Sequence, residues 1–182
     1  MQPLKRLLRE KYQLTNYQIA LLGYFYKTVL SEVSKLLIIG LLFGQHLEEL
    51  LITLSVMIVL RCFTGGLHFD TYWGCLFGSI LLVGLSVLVL PSLMMAFPFK
   101  VLVLLLCIVV INRIGPVISR YRPAYDEGFL NRCKWFVLIF ISFYALLIYI
   151  MPNSYLLNVG AGVIILHTLQ LVAAKYKRKE SL

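Results

Sequence analysis

A chain of 182 residues that is 60% hydrophobic and only 14% charged has more apolar surface than one water-soluble core can bury; soluble domains carry about 25% charge. With a mean hydropathy of +0.88, the composition excludes a soluble globular domain and predicts an all-α, polytopic membrane protein. The net charge of +9 is read as basic cytoplasmic loops, not as nucleic-acid binding.

Residues 1–16 begin the chain as a basic, amphipathic arm. Leu4, Leu7, Leu8 and Leu14 fall roughly on one side, and Lys5, Arg6, Arg9 and Lys11 largely elsewhere. That pattern suits a helix lying in an anionic bilayer surface, and not a cleavable signal peptide. Thr15 and Asn16 offer a cap for the helix that follows. Six candidate spans come next, at roughly 22–43, 47–63, 73–90, 97–112, 134–151 and 155–174. Each needs ~20 residues to cross, and the short second and fourth are extended by snorkelling of Arg61 and Arg113. No internal repeat or linker interrupts them, so residues 1–182 are read as one integral membrane domain.

Basic loops alternate with acidic or neutral ones. The arm, the 113–134 loop and the tail are basic; the segment around Glu48 and Glu49 is acidic and the one around Asn153 uncharged. The positive-inside rule then places both termini in the cytoplasm, with the chain crossing the membrane several times. Parity places the 61–72 loop on the same side. His46 falls on the outer side.

The stretch from Arg61 to Cys75 gathers chemistry that the rest of the chain lacks: Gly65-Gly66, His68, Asp70 and Cys75 between two apolar runs. A thiol attacks as thiolate, and a neighbouring imidazole both activates it and carries its proton. On a continuous helix His68 and Cys75 would lie ~10.5 Å apart along the axis, too far for direct transfer. A working pair therefore requires a break, which Gly65, Gly66 and Gly74 make cheap. The expected geometry is a loop that carries His68 back over the start of the third span. Cys75 then sits in that span's first turns, where the helix dipole and backbone N–H groups favour an anion. The bland alternative is a buried structural cysteine and an interfacial histidine. A zinc site from Cys62, His68 and Cys75 lacks a fourth ligand. All four cysteines are read as free thiols.

The pattern Arg-x3-Gly-Gly-x-His-x6-Cys, at the end of the second apolar segment of a small six-segment chain, resembles the accessory gene regulator protein B (AgrB) family. These are membrane cysteine endopeptidases that process the precursor of a quorum-sensing peptide. The resemblance implies Cys75 as nucleophile and His68 as general base. It also implies an amphipathic propeptide substrate, cleavage through an acyl-enzyme thioester, and cyclisation by a precursor side chain. No metal or organic cofactor is required. Asp70 is inferred from position alone: either it orients the imidazole or it is a solvated loop carboxylate. Arg61 either holds a substrate carboxylate or lipid phosphate, or snorkels.

Further along, Asn112 and Arg113 end the fourth span on the reaction side and are expected to line the pocket. Arg120 and Arg122, in the basic loop with Pro116 and Pro123, either grip an acidic precursor tail or only fix topology. In the first span Lys27, Ser31 and Lys35 share a stripe, with Glu32 placed to pair with Lys35. They line a substrate path or simply pack. Asn158, His167 and Gln170 in the last span are read as helix–helix hydrogen-bonding groups. Gly160 and Gly162 permit close helix approach within or between subunits. Cys62, Cys107 and Cys133 are read as packing residues. A small six-span chain has little interior to shelter a peptide, which favours a homodimer. The competing reading from another class is a non-enzymatic transporter or adaptor with the charged stripe as its path.

Overall fold

The computed structural model describes residues 15–67, 71–91, 97–117 and 126–180, and these are mostly helical. The chain divides into two compact units, Met1–Leu42 and Phe43–Leu182. The arm before Thr15 lies outside the described residues.

Helix α1 (Asn16–Phe43) starts where the sequence offered a cap. The Gln18 backbone N–H donates to Thr15 Oγ1 at 3.3 Å, and the Thr15 N–H donates to Gln18 Oε1 at 2.9 Å. This reciprocal capping box satisfies two N–H groups at the helix start. Within α1, Lys35 Nζ donates to the Glu32 carboxylate one turn earlier, the pairing expected from the spacing.

Among its described residues the second unit holds five helices: α2 (Leu47–Thr64), α3 (Tyr72–Gly84), α4 (Phe97–Ile114), α5 (Glu127–Ile150) and α6 (Tyr155–Glu180). A 3-10 turn, Gly44–His46, precedes α2, and a π-helical turn, Leu85–Val89, prolongs α3. There the Leu90 N–H reaches back five residues to the Leu85 carbonyl at 2.9 Å. Helix α5 starts at Glu127 rather than near 134, because the Asp126 carboxylate accepts the Gly128 N–H at 3.1 Å and opens the helix among its basic residues. Among the described residues there is no strand, only one parallel bridge between Gly65 and Val117.

Helix α6 is the hub of this unit and packs against α2, α4, α5 and the π-helical turn. Half of its apolar window is buried, against a third for α3 and α5. Leu60, Leu104, Ile111, Ile141, Val159, Ile164 and Leu171 are fully enclosed. Two of its glycines make the close approach possible within one chain. A Cβ on Gly160 would stand 1.9 Å from the Tyr144 hydroxyl, which donates to the Leu157 carbonyl at 3.2 Å. A Cβ on Gly162 would stand 2.8 Å from the Leu90 side chain.

Among the described residues, three helical segments are long and apolar enough to cross a membrane: Tyr72–Val89, Glu127–Ile150 and Tyr155–Lys177. Their outward faces carry Phe77 and Leu81 on α3 and Ile139, Phe143 and Ile150 on α5, all exposed. Outward apolar stripes of this kind match a lipid surrounding and not water. Helix α2 is less apolar because Glu48, Glu49 and Arg61 fall within its 18 residues. Glu48 and Glu49 occupy its first turn, where the dipole favours acids. His46 lies just ahead of them, 3.9 Å from Glu49, at the opposite end of α2 from Arg61.

Candidate active site

Helix α2 stops at Thr64 because Gly65 turns the backbone to φ 75, ψ −144. Its N–H still donates to the Arg61 carbonyl at 3.0 Å. A side chain is excluded twice at this position: the dihedrals suit glycine alone, and a Cβ would lie 2.1 Å from the Val117 carbonyl oxygen. Helix α4 ends by the same device, with Gly115 at φ 70 and its N–H on the Ile111 carbonyl at 2.8 Å. The two chain ends are then tied, since the Val117 N–H donates to the Thr64 carbonyl at 2.8 Å. Asn112 and Arg113, both exposed, are thereby brought to the end of the bundle that holds Gly65 and Gly66.

Helix α3 opens at the same end. Its π-helical tail packs on α6 near Gly162, early in that helix, so its start lies towards the end where α6 carries His167 and Gln170. Thr71 has extended backbone, φ −109 and ψ 147, and caps α3 by accepting the Gly74 N–H at 3.2 Å. Cys75 follows in the first turn, with its N–H on the Thr71 carbonyl at 3.1 Å and its side chain half-buried. An extended Thr71 rules out one straight helix through positions 68–75. The first turn of α3 presents backbone N–H groups and roughly half a positive charge near this thiol. Tyr72 and Trp73 form an edge-to-face pair beside it, with Trp73 exposed as at a membrane–water interface.

His68, Asp70, Arg120 and Arg122 lie outside the described residues. Arg61 is described, and it turns inward: its Nη2 donates to Gln170 Oε1 at 3.3 Å, with Gly66 buried against the pair. This is a third role, beyond substrate binding or snorkelling. The last-span polar residues bond across helices as expected. His167 Nε2 meets Thr64 Oγ1 at 2.7 Å, and Asn158 Oδ1 accepts from Lys100 at 2.9 Å. Lys175 donates to the Ile114 carbonyl at 2.9 Å, closing the end of α4. None of the four cysteines is in a disulfide among the described residues; Cys107 and Cys133 are buried, whereas Cys62 is exposed. Cys62 lies on the opposite side of α2 from the buried Leu60 and Thr64, so it is not a packing residue.

Sequence reading missed Thr71 as the cap, although a threonine immediately ahead of an apolar run is the usual signal. It also missed the pairing of Thr64 with His167, for which no local signal exists.

Apolar outward faces, two glycine-terminated helices joined at one end, and a thiol in the first turn of a third helix define a helical membrane protein with a candidate thiol centre. The chain belongs to the Accessory gene regulator B (AgrB) family, whose profile matches residues 4–171. It is also similar to a protein of Clostridium beijerinckii described as AgrB-like, 31% identical over 145 residues, covering 76% of this chain and 70% of that one. No solved structure matches it. Membership points to a role in the agr quorum-sensing system.

Proposed function

We propose that this chain is a membrane cysteine endopeptidase that cuts an amphipathic signal-peptide precursor. The observation that carries this reading is the half-buried thiol of Cys75 in the capped first turn of α3, just after a chain break that only glycine permits. Family membership supplies the substrate class. Six crossings with both termini in the cytoplasm place the site on the inner face of the plasma membrane, where the precursor is made. Two copies together shelter the peptide.

In this mechanism His68 takes the proton of Cys75, and the sulfur attacks the scissile carbonyl. Backbone N–H groups at the start of α3 stabilise the oxyanion that forms. His68 then protonates the leaving amine, the C–N bond breaks, and the C-terminal part of the precursor departs. The rest stays on Cys75 as a thioester. Apolar surroundings keep water out, so a cysteine or serine side chain of the precursor attacks the thioester carbonyl and closes the ring, returning the thiol. Asp70 orients the imidazole, Asn112 and Arg113 line the pocket, and Arg120 and Arg122 hold the acidic tail.

The test is to trap the thioester. The intact protein is mixed with a synthetic precursor of the proposed class, an amphipathic helix followed by a cysteine or serine and an acidic tail. After acid quench, mass spectrometry is expected to show the N-terminal portion attached to the Cys75 peptide and released by neutral hydroxylamine. Cleavage without any adduct on Cys75 contradicts the mechanism.

A further inference from the structure

The last turn of α2 is held to α6 by two rungs, Thr64–His167 and Arg61–Gln170, joining residues 103 and 109 positions apart. Moving back along α2 from 64 to 61 matches moving forward along α6 from 167 to 170, as in an antiparallel helix pair. Thr64 is 1% exposed and His167 is wholly enclosed. The one proton of the Thr64 hydroxyl goes either to the Leu60 carbonyl or to His167 Nε2, each at 2.7 Å, and Nδ1 has no hydrogen-bond partner among the described residues. Donation from Nε2–H to Thr64 leaves only an acceptor unmatched at Nδ1, whereas the other tautomer would bury an unmatched N–H, so the Nε2–H tautomer is assigned on that ground. A buried imidazole with one nitrogen unsatisfied is costly, so the structural return comes from the Nε2 bond.

That bond acts on one residue. Thr64 is clamped by its side chain to α6 and by its carbonyl to Val117, and the next residue is the Gly65 turn. The segment leading to His68 starts from this clamped point, while Cys75 is fixed separately by the Thr71 cap on α3. The clamp therefore sets the end of α2 from which the chain runs on towards position 68.

We propose that His167 is a positioning residue for the reactive turn, acting through its Nε2–H on Thr64; this rests on the peptidase reading above. It touches neither substrate nor thiol. Its contribution is to set the take-off point of the segment that bears His68.

The test is the rate of Cys75 alkylation by iodoacetamide as a function of pH, read on the Cys75 peptide by mass spectrometry in native membranes. His68→Ala serves as the reference and is expected to slow labelling at neutral pH on the order of tenfold through loss of the neighbouring base. His167→Ala is expected to give the same displaced profile. His167→Gln keeps a donor at the reach of Nε2 and is expected to stay near wild type, whereas His167→Asn places its donor at the reach of Nδ1 and is expected to behave like alanine. Thr64→Val, nearly isosteric, removes the acceptor with little change in packing and is expected to match His167→Ala, which covers the case in which the alanine variant fails to accumulate.

If His68→Ala displaces the profile and neither His167→Ala nor Thr64→Val does, the positioning role is overturned and the dyad stands. If asparagine rescues as well as glutamine, the Thr64 bond is not the carrier and the proposal is also overturned. If His68→Ala leaves the profile unchanged, the dyad itself falls, and the positioning role with it.

Discussion

Cells that express the precursor together with a Cys75→Ala variant are expected to accumulate it uncut, with processing reduced at least about 10³-fold, the scale on which covalent catalysts lose activity without their nucleophile. Cys75→Ser is expected to fare little better. A hydroxyl has a far higher pKa than a thiol, and the dipole at the start of α3 cannot make up that difference. Cys62→Ser is the matching control, because Cys62 is exposed on the outer side of α2 and no step uses it. The measurement is the ratio of shortened to full-length peptide by mass spectrometry at equal amounts of membrane-inserted protein. Normal processing by both Cys75 variants would instead favour a transporter or adaptor that only carries the peptide.

Gly65→Ala is expected to be the most damaging substitution outside the reacting groups. Its dihedrals lie in a region nearly closed to L-residues, which costs on the order of 1–3 kcal/mol. The added Cβ, 2.1 Å from the Val117 carbonyl oxygen, must also push the 115–117 segment away. That movement breaks the Val117–Thr64 hydrogen bond, worth roughly 0.5–1.5 kcal/mol. The combined destabilisation is about 2–4 kcal/mol, concentrated at the turn that leads to His68. Gly115→Ala makes the internal comparison. Gly115 has a similar φ of 70 but no atom within 4 Å of a would-be Cβ, so only the conformational cost applies. Cleavage rate and thermal midpoint in detergent should both fall much further for Gly65→Ala than for Gly115→Ala. Equal loss in the two would show that close packing on Val117 does not hold the bend.

Much of this was legible because local chemistry fixed it. Thr15 and Asn16 signalled the start of α1, and the apolar runs located the six described helices to within several residues. Gly65-Gly66 announced a break before Cys75, and the structure ends α2 there. Charged residues misled at α5: Arg132 and Lys134 read as loop, yet they are helical because Asp126 caps the helix upstream. The π-helical turn at Leu85–Val89 had no pattern to reveal it, since it alters bonding without altering residue types. The polar residues of α6 were assigned to helix–helix bonding on chemistry alone. Their partners were not legible, because Arg61 meets Gln170 and Thr64 meets His167 only once the helices have packed. The inward turn of Arg61 is the clearest case. A positive residue at the end of a span reads as a snorkelling group until α6 supplies its acceptor.

The central proposal is that the chain folds back after Gly65 so that position 68 can meet the thiol of Cys75. It is tested most directly by a His68→Cys variant treated in membranes with a short bifunctional thiol reagent that spans the room an imidazole would fill. The account predicts a rapid cross-link within one chain between positions 68 and 75, identified by peptide mass. Failure of the two sites to link while each is separately alkylated, or linkage of position 68 to Cys62 in preference to Cys75, would contradict it.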